Sequence, residues 1–144
     1  MSDTISTDSD IDKIIEDITL TNISSLAECN REIKDILDIV FKDNLKYEKN
    51  KDNKKNTLNT LNNSYQFIDI ETLNTCAWVC YIDTDKFYDL KIHFSGLFLK
   101  LKDNKSVLLK YGKKYYNVNT ENKVFFRKLS NKNLLKMYLL DTIN

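Results

Sequence analysis

The apolar positions of this chain follow two regimes, with a polar stretch between them. Before residue 45 they recur every three or four residues. Ile11, Ile14, Ile15 and Ile18 fall on one face of a short helix that Ser9 or Asp10 can cap, after a polar stretch, residues 1–8, expected to be disordered. Leu26, Cys29, Ile33, Ile36, Leu37, Val40 and Phe41 continue at helical spacing after Ser24 or Ser25. A second helix is therefore expected to about Leu45, with Glu28, Glu32, Asp35 and Asp38 on its other faces. The positions Leu26, Cys29, Ile33, Ile36 and Val40 also match an a/d seam for about two heptads. Two roles suit such a stripe: packing on its own domain, or self-association.

From residue 65 the pattern turns to short apolar runs. Strands are expected at 65–70, 76–82, 87–94, 97–102, 106–111, 115–118 and 123–129. The breaks between most of them are rich in Asp, Asn, Lys and Gly, as in an antiparallel meander. Ser130 is placed to cap a last helix, whose Leu134, Leu135, Met137, Tyr138, Leu139 and Leu140 make it apolar on most sides. Such a helix is normally buried against a sheet or a partner. Residues 46–64 are polar and low in complexity, with no periodic apolar face, and are assigned as a linker or long loop.

The expected organisation is thus α+β: an acidic helical segment (1–45), a linker (46–64), and residues 65–144, an antiparallel β meander of about five to seven short strands closed by a C-terminal helix. In element order alone this outline resembles the pleckstrin-homology roll. No motif carries the likeness, and it implies no ligand.

Composition changes this picture in a few places. A chain of 144 residues suits one domain, or a small domain with an appendage, and 42% apolar content excludes a wholly disordered chain. No stretch approaches the roughly 18 apolar residues of a membrane span. The polar, acidic N-terminus is no signal peptide, so an intracellular, cytoplasmic location is expected, with Cys29, Cys76 and Cys80 as free thiols. Lys (20) far outnumbers Arg (2), Asn reaches 17, and there are two Gly and no Pro. That bias suits an AT-rich genome, such as a large DNA virus, an intracellular parasite or a low-GC bacterium. Some of the Lys content is therefore mutational rather than chemical. The turns must rely on Asn and Asp, which tolerate left-handed backbone.

The net charge of +1 hides an asymmetry. Residues 1–45 carry −7, 46–64 carry +3, 65–89 carry −4 and 90–144 carry +9. An acidic front and a basic back can attract each other or different partners.

Catalytic chemistry finds little support. A tight hairpin centred on Thr84-Asp85 would set Cys76 opposite His93, the minimum for an activated thiolate, but nothing nearby offers an oxyanion site. On a strand Cys76 and Cys80 lie about 13 Å apart, too far to share a metal ion. Asp83-x-Asp85-x-x-x-Asp89 lacks the Gly and the ligand spacing of a calcium loop. Two Gly cannot build a phosphate-binding glycine loop. No cofactor and no metal are expected.

Two binding roles remain. The first is a non-enzymatic protein-interaction module, an accessory or host-directed factor of an AT-rich DNA virus. It would meet a protein partner or a second copy through Leu26, Ile33, Ile36, Val40 and Phe41. The alternative is nucleic-acid binding by the basic, aromatic C-terminal half. Its candidates are Lys100, Lys102, Lys110, Lys113, Lys114, Tyr115, Arg127 and Lys128, among Tyr111, Tyr116, Phe125 and Phe126.

Overall fold

The structure, a computed structural model, describes residues 25–73, 76–103 and 105–143. The helix expected over Ile11–Ile18 and the disorder expected over 1–8 lie outside the described residues. The first described helix, α1, spans Leu26–Phe41. Ser25 caps it, its hydroxyl accepting from the Glu28 amide at 3.1 Å. Cys29, Ile33, Leu37 and Phe41 form its wholly buried stripe, and a 3-10 turn over Lys42–Asn44 continues the chain.

The expected linker is corrected by the structure: Glu48–Leu61 is an α-helix, α2. Its inward side carries Asn50, Asn53, Lys54, Thr57, Leu58 and Leu61, a helical stripe made mostly of polar residues. Hydropathy cannot see such a stripe. Asn50 is fully buried and fully bonded. Its amide nitrogen donates to the Asn44 and Phe87 carbonyls at 2.9 and 2.7 Å, and its oxygen accepts from the Leu90 amide at 2.8 Å. A buried amide so satisfied anchors the loop ahead of strand β3 to the helix.

Six antiparallel strands follow: β1 (Tyr65–Ile68), β2 (Trp78–Asp83), β3 (Ile92–Asp103), β4 (Ser106–Tyr111), β5 (Lys114–Asn119) and β6 (Lys123–Lys128). Strands β2 to β5 form the expected meander. β6 then lies between β1 and β2, giving the order β1-β6-β2-β3-β4-β5. Three residues join β5 to β6, although three strands separate them in the sheet. Four strand spacings of about 4.8 Å exceed the roughly 14 Å that so short a link can span. The sheet therefore has to curl. Asn122 closes the link, its carbonyl accepting from the Thr84 amide and hydroxyl at 2.9 and 2.8 Å. Asn63 and Asn122 have positive φ, so asparagine supplies left-handed turns in this proline-free chain, as its composition requires.

The curl is built into β3. Two strands were expected at 87–94 and 97–102. Instead the chain is a loop up to Lys91 and one continuous twelve-residue strand from Ile92. Ser95 is an extra residue against β2, and Leu99 and Lys102 are extra against β4. Each bulge bends and twists the strand. The bulges also break alternation. Phe98 is the buried member of the run, whereas Leu97, Leu99 and Leu101 are half-buried.

Curling divides the core in two. The concave side closes on Val79, Phe98, Val107, Leu109 and Phe125, with Ile70 plugging it from a 3-10 turn after β1. The other side of β1-β6-β2 packs Cys80, Ile82 and Phe126 against Ile33, Leu37 and Phe41 of α1 and Leu61 of α2. The last helix, α3 (Asn131–Ile143), begins at Ser130, whose hydroxyl accepts from the Asn133 amide at 3.1 Å. It buries Met137 against Cys29 and Leu129. No described helix is long and apolar enough to cross a membrane.

Candidate functional site

The stripe expected to meet a partner is core. Ile33 and Phe41 have no exposed surface, and Leu26, Ile36 and Val40 are partly buried against the same clusters. The helix packs on its own sheet because β2 and β6 present Cys80, Ile82 and Phe126 to it. The large apolar residue left outside on α1 is Ile39.

The Cys76–His93 pairing that a tight hairpin would give is not formed. The register sets His93 opposite Tyr81, and Cys76 precedes β2 altogether. The tight hairpin fails because eight residues, 84–91, separate the strands and are held by α2. Cys76 is exposed; burial pushes the Cys29 and Cys80 thiols up to about 11 and about 12, so both stay protonated. Among the described residues no group of three His, Cys, Asp or Glu is placed to hold a metal ion.

The curled sheet leaves basic and aromatic residues exposed on both faces of β2–β5, with Tyr111, Lys114 and Tyr116 on one and Lys110 and Tyr115 on the other. Trp78, Phe94, Tyr111, Tyr115 and Tyr116 are 43–63% exposed. Phe125 and Phe126, expected among these aromatics, are instead buried, one in each core. Consecutive residues of a strand face opposite sides, and β6 is covered on both. Residues 91–119 carry seven Lys and one Asp. Lys100, Lys102, Lys113 and Lys114 are exposed and make no ion pair among the described residues. The Lys110 ammonium stands 5.6 Å from the Tyr115 ring centre.

Two depressions open among these residues. One, of about 430 Å³, is lined by Tyr81, Phe94, Tyr111, Tyr116 and Val118, with Ser95 and Asn117 as polar members. Tyr81 stacks on His93 at 5.2 Å, and the Lys123 ammonium sits 5.9 Å from the Tyr81 ring centre. Burial, with Lys86 and Lys91, pushes His93 below the usual imidazole range and keeps it neutral at pH 7. The other depression, of about 460 Å³, runs from Trp78 and Leu97 to Arg127, Lys128 and Ser130. Trp78 and Tyr111 meet edge to face at 6.4 Å, so the two depressions share a boundary.

The eight expected basic and aromatic residues are thus divided. Lys100, Lys102, Lys110, Lys113, Lys114 and Tyr115 belong to β3–β5 and their turns. Arg127 and Lys128 lie across the sheet on β6, and the Arg127 Nε–H donates to Gln66 at 2.8 Å. Trp78 and Phe94, absent from the expected set, complete the surface. Their strands read as ordinary half-buried ones, and only the pairing shows which ring is left uncovered. Compared with family models, curated proteins and solved structures, the chain matches none.

Proposed function

We propose that this chain is a non-enzymatic binding module for single-stranded nucleic acid. The observation that supports it most is the run of exposed rings from Tyr116 through Tyr111 to Trp78, set among lysines that no described carboxylate neutralises. Rings stack on unpaired bases whatever their sequence, while ammonium groups follow the phosphates. Duplex readout fits less well. Among the described residues the surface is sheet, not a projecting helix, and Arg, the usual reader of guanine, occurs twice in the chain.

The test is fluorescence anisotropy of full-length protein with labelled single-stranded RNA, single-stranded DNA and duplex DNA, from about 50 to 200 mM salt. Single strands should bind more tightly than duplex, and affinity should fall steeply with salt. Replacing Lys110, Lys113 and Lys114 by Gln should reduce the slope of log affinity against log salt by about 2, since each single-strand phosphate contact contributes about 0.7. An unchanged slope would remove these lysines from the phosphate path. A second reading, a protein-contact module, rests on the outer side of α3, where Leu135 and Tyr138 stand exposed one turn apart. Absence of binding to all three probes would favour it.

A further inference from the structure

We propose that the cavity beside β5 is a nucleobase pocket, holding one unpaired base of the bound strand and reading its edge. The inference rests on the single-strand reading above and adds base selectivity to it. At about 430 Å³ the cavity lies at the small end of the range for ligand sites. Four of its walls are aromatic: Tyr81, Phe94, Tyr111 and Tyr116. Tyr81 is braced from the side by its stack on His93. A planar, polarisable group gains most from such walls.

The polar chemistry narrows the ligand further. Asn117 pairs with Leu108 in the β4–β5 ladder, so its side chain lies on the face opposite Tyr111 and Tyr116, and it meets the cavity along the outer edge of β5. An edge strand presents unpaired N–H and C=O groups, donors and acceptors of the kind that a base edge matches. A purely apolar ligand would leave them unmatched.

Charge excludes a second use of aromatic cages, the capture of ammonium groups. No carboxylate lines the cavity, and the Lys123 ammonium stands over one wall. Lys114 pairs with Tyr111 across the β4–β5 ladder, which puts it on the same side of the sheet as Tyr111 and Tyr116. These two lysines suit the phosphates flanking an inserted base.

The cavity also has a structural cause. Ser95, on its wall, is the extra residue of the first β3 bulge, and it has no partner on β2. The bulge and the curl together hold β5 away from the start of β3. A flat sheet of the same sequence would have no such cavity.

The test compares labelled octamers of A, C, U and T on the full-length protein, with the nucleoside monophosphates as a second arm. Wild type should separate the best from the worst homopolymer by about fivefold or more. Tyr116→Ala should weaken the best by about tenfold, the usual effect of removing one stacking ring, and leave the salt slope unchanged. The same variant should narrow the discrimination between homopolymers. Tyr116 is exposed on an edge strand, and Tyr116→Leu replaces Tyr116→Ala if thermal melting shows that the latter is unfolded. Wild-type affinity and selectivity in the Tyr116 variant would overturn the pocket. If the lysine variants remained weak in the same assay, the single-strand reading would stand without it. Monophosphates binding as tightly as octamers would overturn the strand as the source of the base. No binding of any probe would overturn both readings.

Discussion

Gly96, next to the first β3 bulge, has no room for a side chain. It adopts φ of +106°, and a Cβ built there would lie 2.5 Å from the Lys110 carbonyl oxygen. That oxygen belongs to the β3–β4 ladder and cannot withdraw without breaking it. Gly96→Ala is therefore expected to cost about 1–3 kcal/mol from the strained backbone alone, before any clash. Urea unfolding should show a lower midpoint. Gly112 is the control: its φ is +61°, but nothing lies within 4 Å of a Cβ there. Gly112→Asn should be close to neutral, because asparagine tolerates that conformation, as Asn63 and Asn122 do in this chain. Equal losses at the two glycines would mean that close approach to β4 does not decide the fold.

At the scale of elements, α2 is the unusual one, because polar contacts dock it. Lys54 reaches Asp38 of α1 at 2.8 Å, and Asn53 donates to Asp89 at 2.8 Å. The hydrogen bond from Lys54 holds Asp38 below the usual carboxylate range, and that from Asn53 does the same for Asp89. Both carboxyls titrate lower folded than unfolded. Their contribution is complete above the unfolded value of about 3.9 and is lost as pH falls through the lower folded values. Thermal melts below about pH 4 should show stability declining. Asp38→Asn combined with Asp89→Asn should make that decline shallower; an identical decline in the double variant would assign the acid sensitivity elsewhere. The same polar docking explains why this helix was illegible. Of its inward residues only Leu58 and Leu61 are apolar, and a lone pair of leucines does not make a periodic signal.

At the scale of the molecule, helices and sheet share one core. Ile33, Leu37, Phe41 and Leu61 cover Cys80, Ile82 and Phe126. A chain of residues 65–144 alone would expose that face, and each large apolar side chain so uncovered forfeits about 1.5–3 kcal/mol. Against a total stability of about 5–15 kcal/mol, the fragment is expected not to fold. Near-ultraviolet circular dichroism and a heat scan check this; a cooperative transition in the fragment would mean that the helices are dispensable. The negative charge of the front half does not neutralise the basic sheet among the described residues. Ion pairs join Asp38 to Lys54, Asp89 to Lys91 and Glu121 to Lys105, and they leave the lysines of β3–β5 facing outward.

What the sequence determined by itself is whatever depends on near neighbours along the chain. The stripe of α1, its Ser25 cap, the Ser130 cap of α3, the β4–β6 runs and the use of asparagine in turns all rest on spacing and local backbone preference. Only the tertiary structure decided matters that depend on residues far apart. It made a polar stretch a helix by giving the buried Asn50 three hydrogen-bond partners, and it joined two expected strands through bulges whose need appears only against β2 and β4. It inserted β6 between β1 and β2, which buried Phe125 and Phe126 and left Trp78 and Phe94 outside. The basic, aromatic character of the candidate site was legible in composition. Its geometry was not, because alternation along a strand says which residues share a face and nothing about which face another strand or helix will cover.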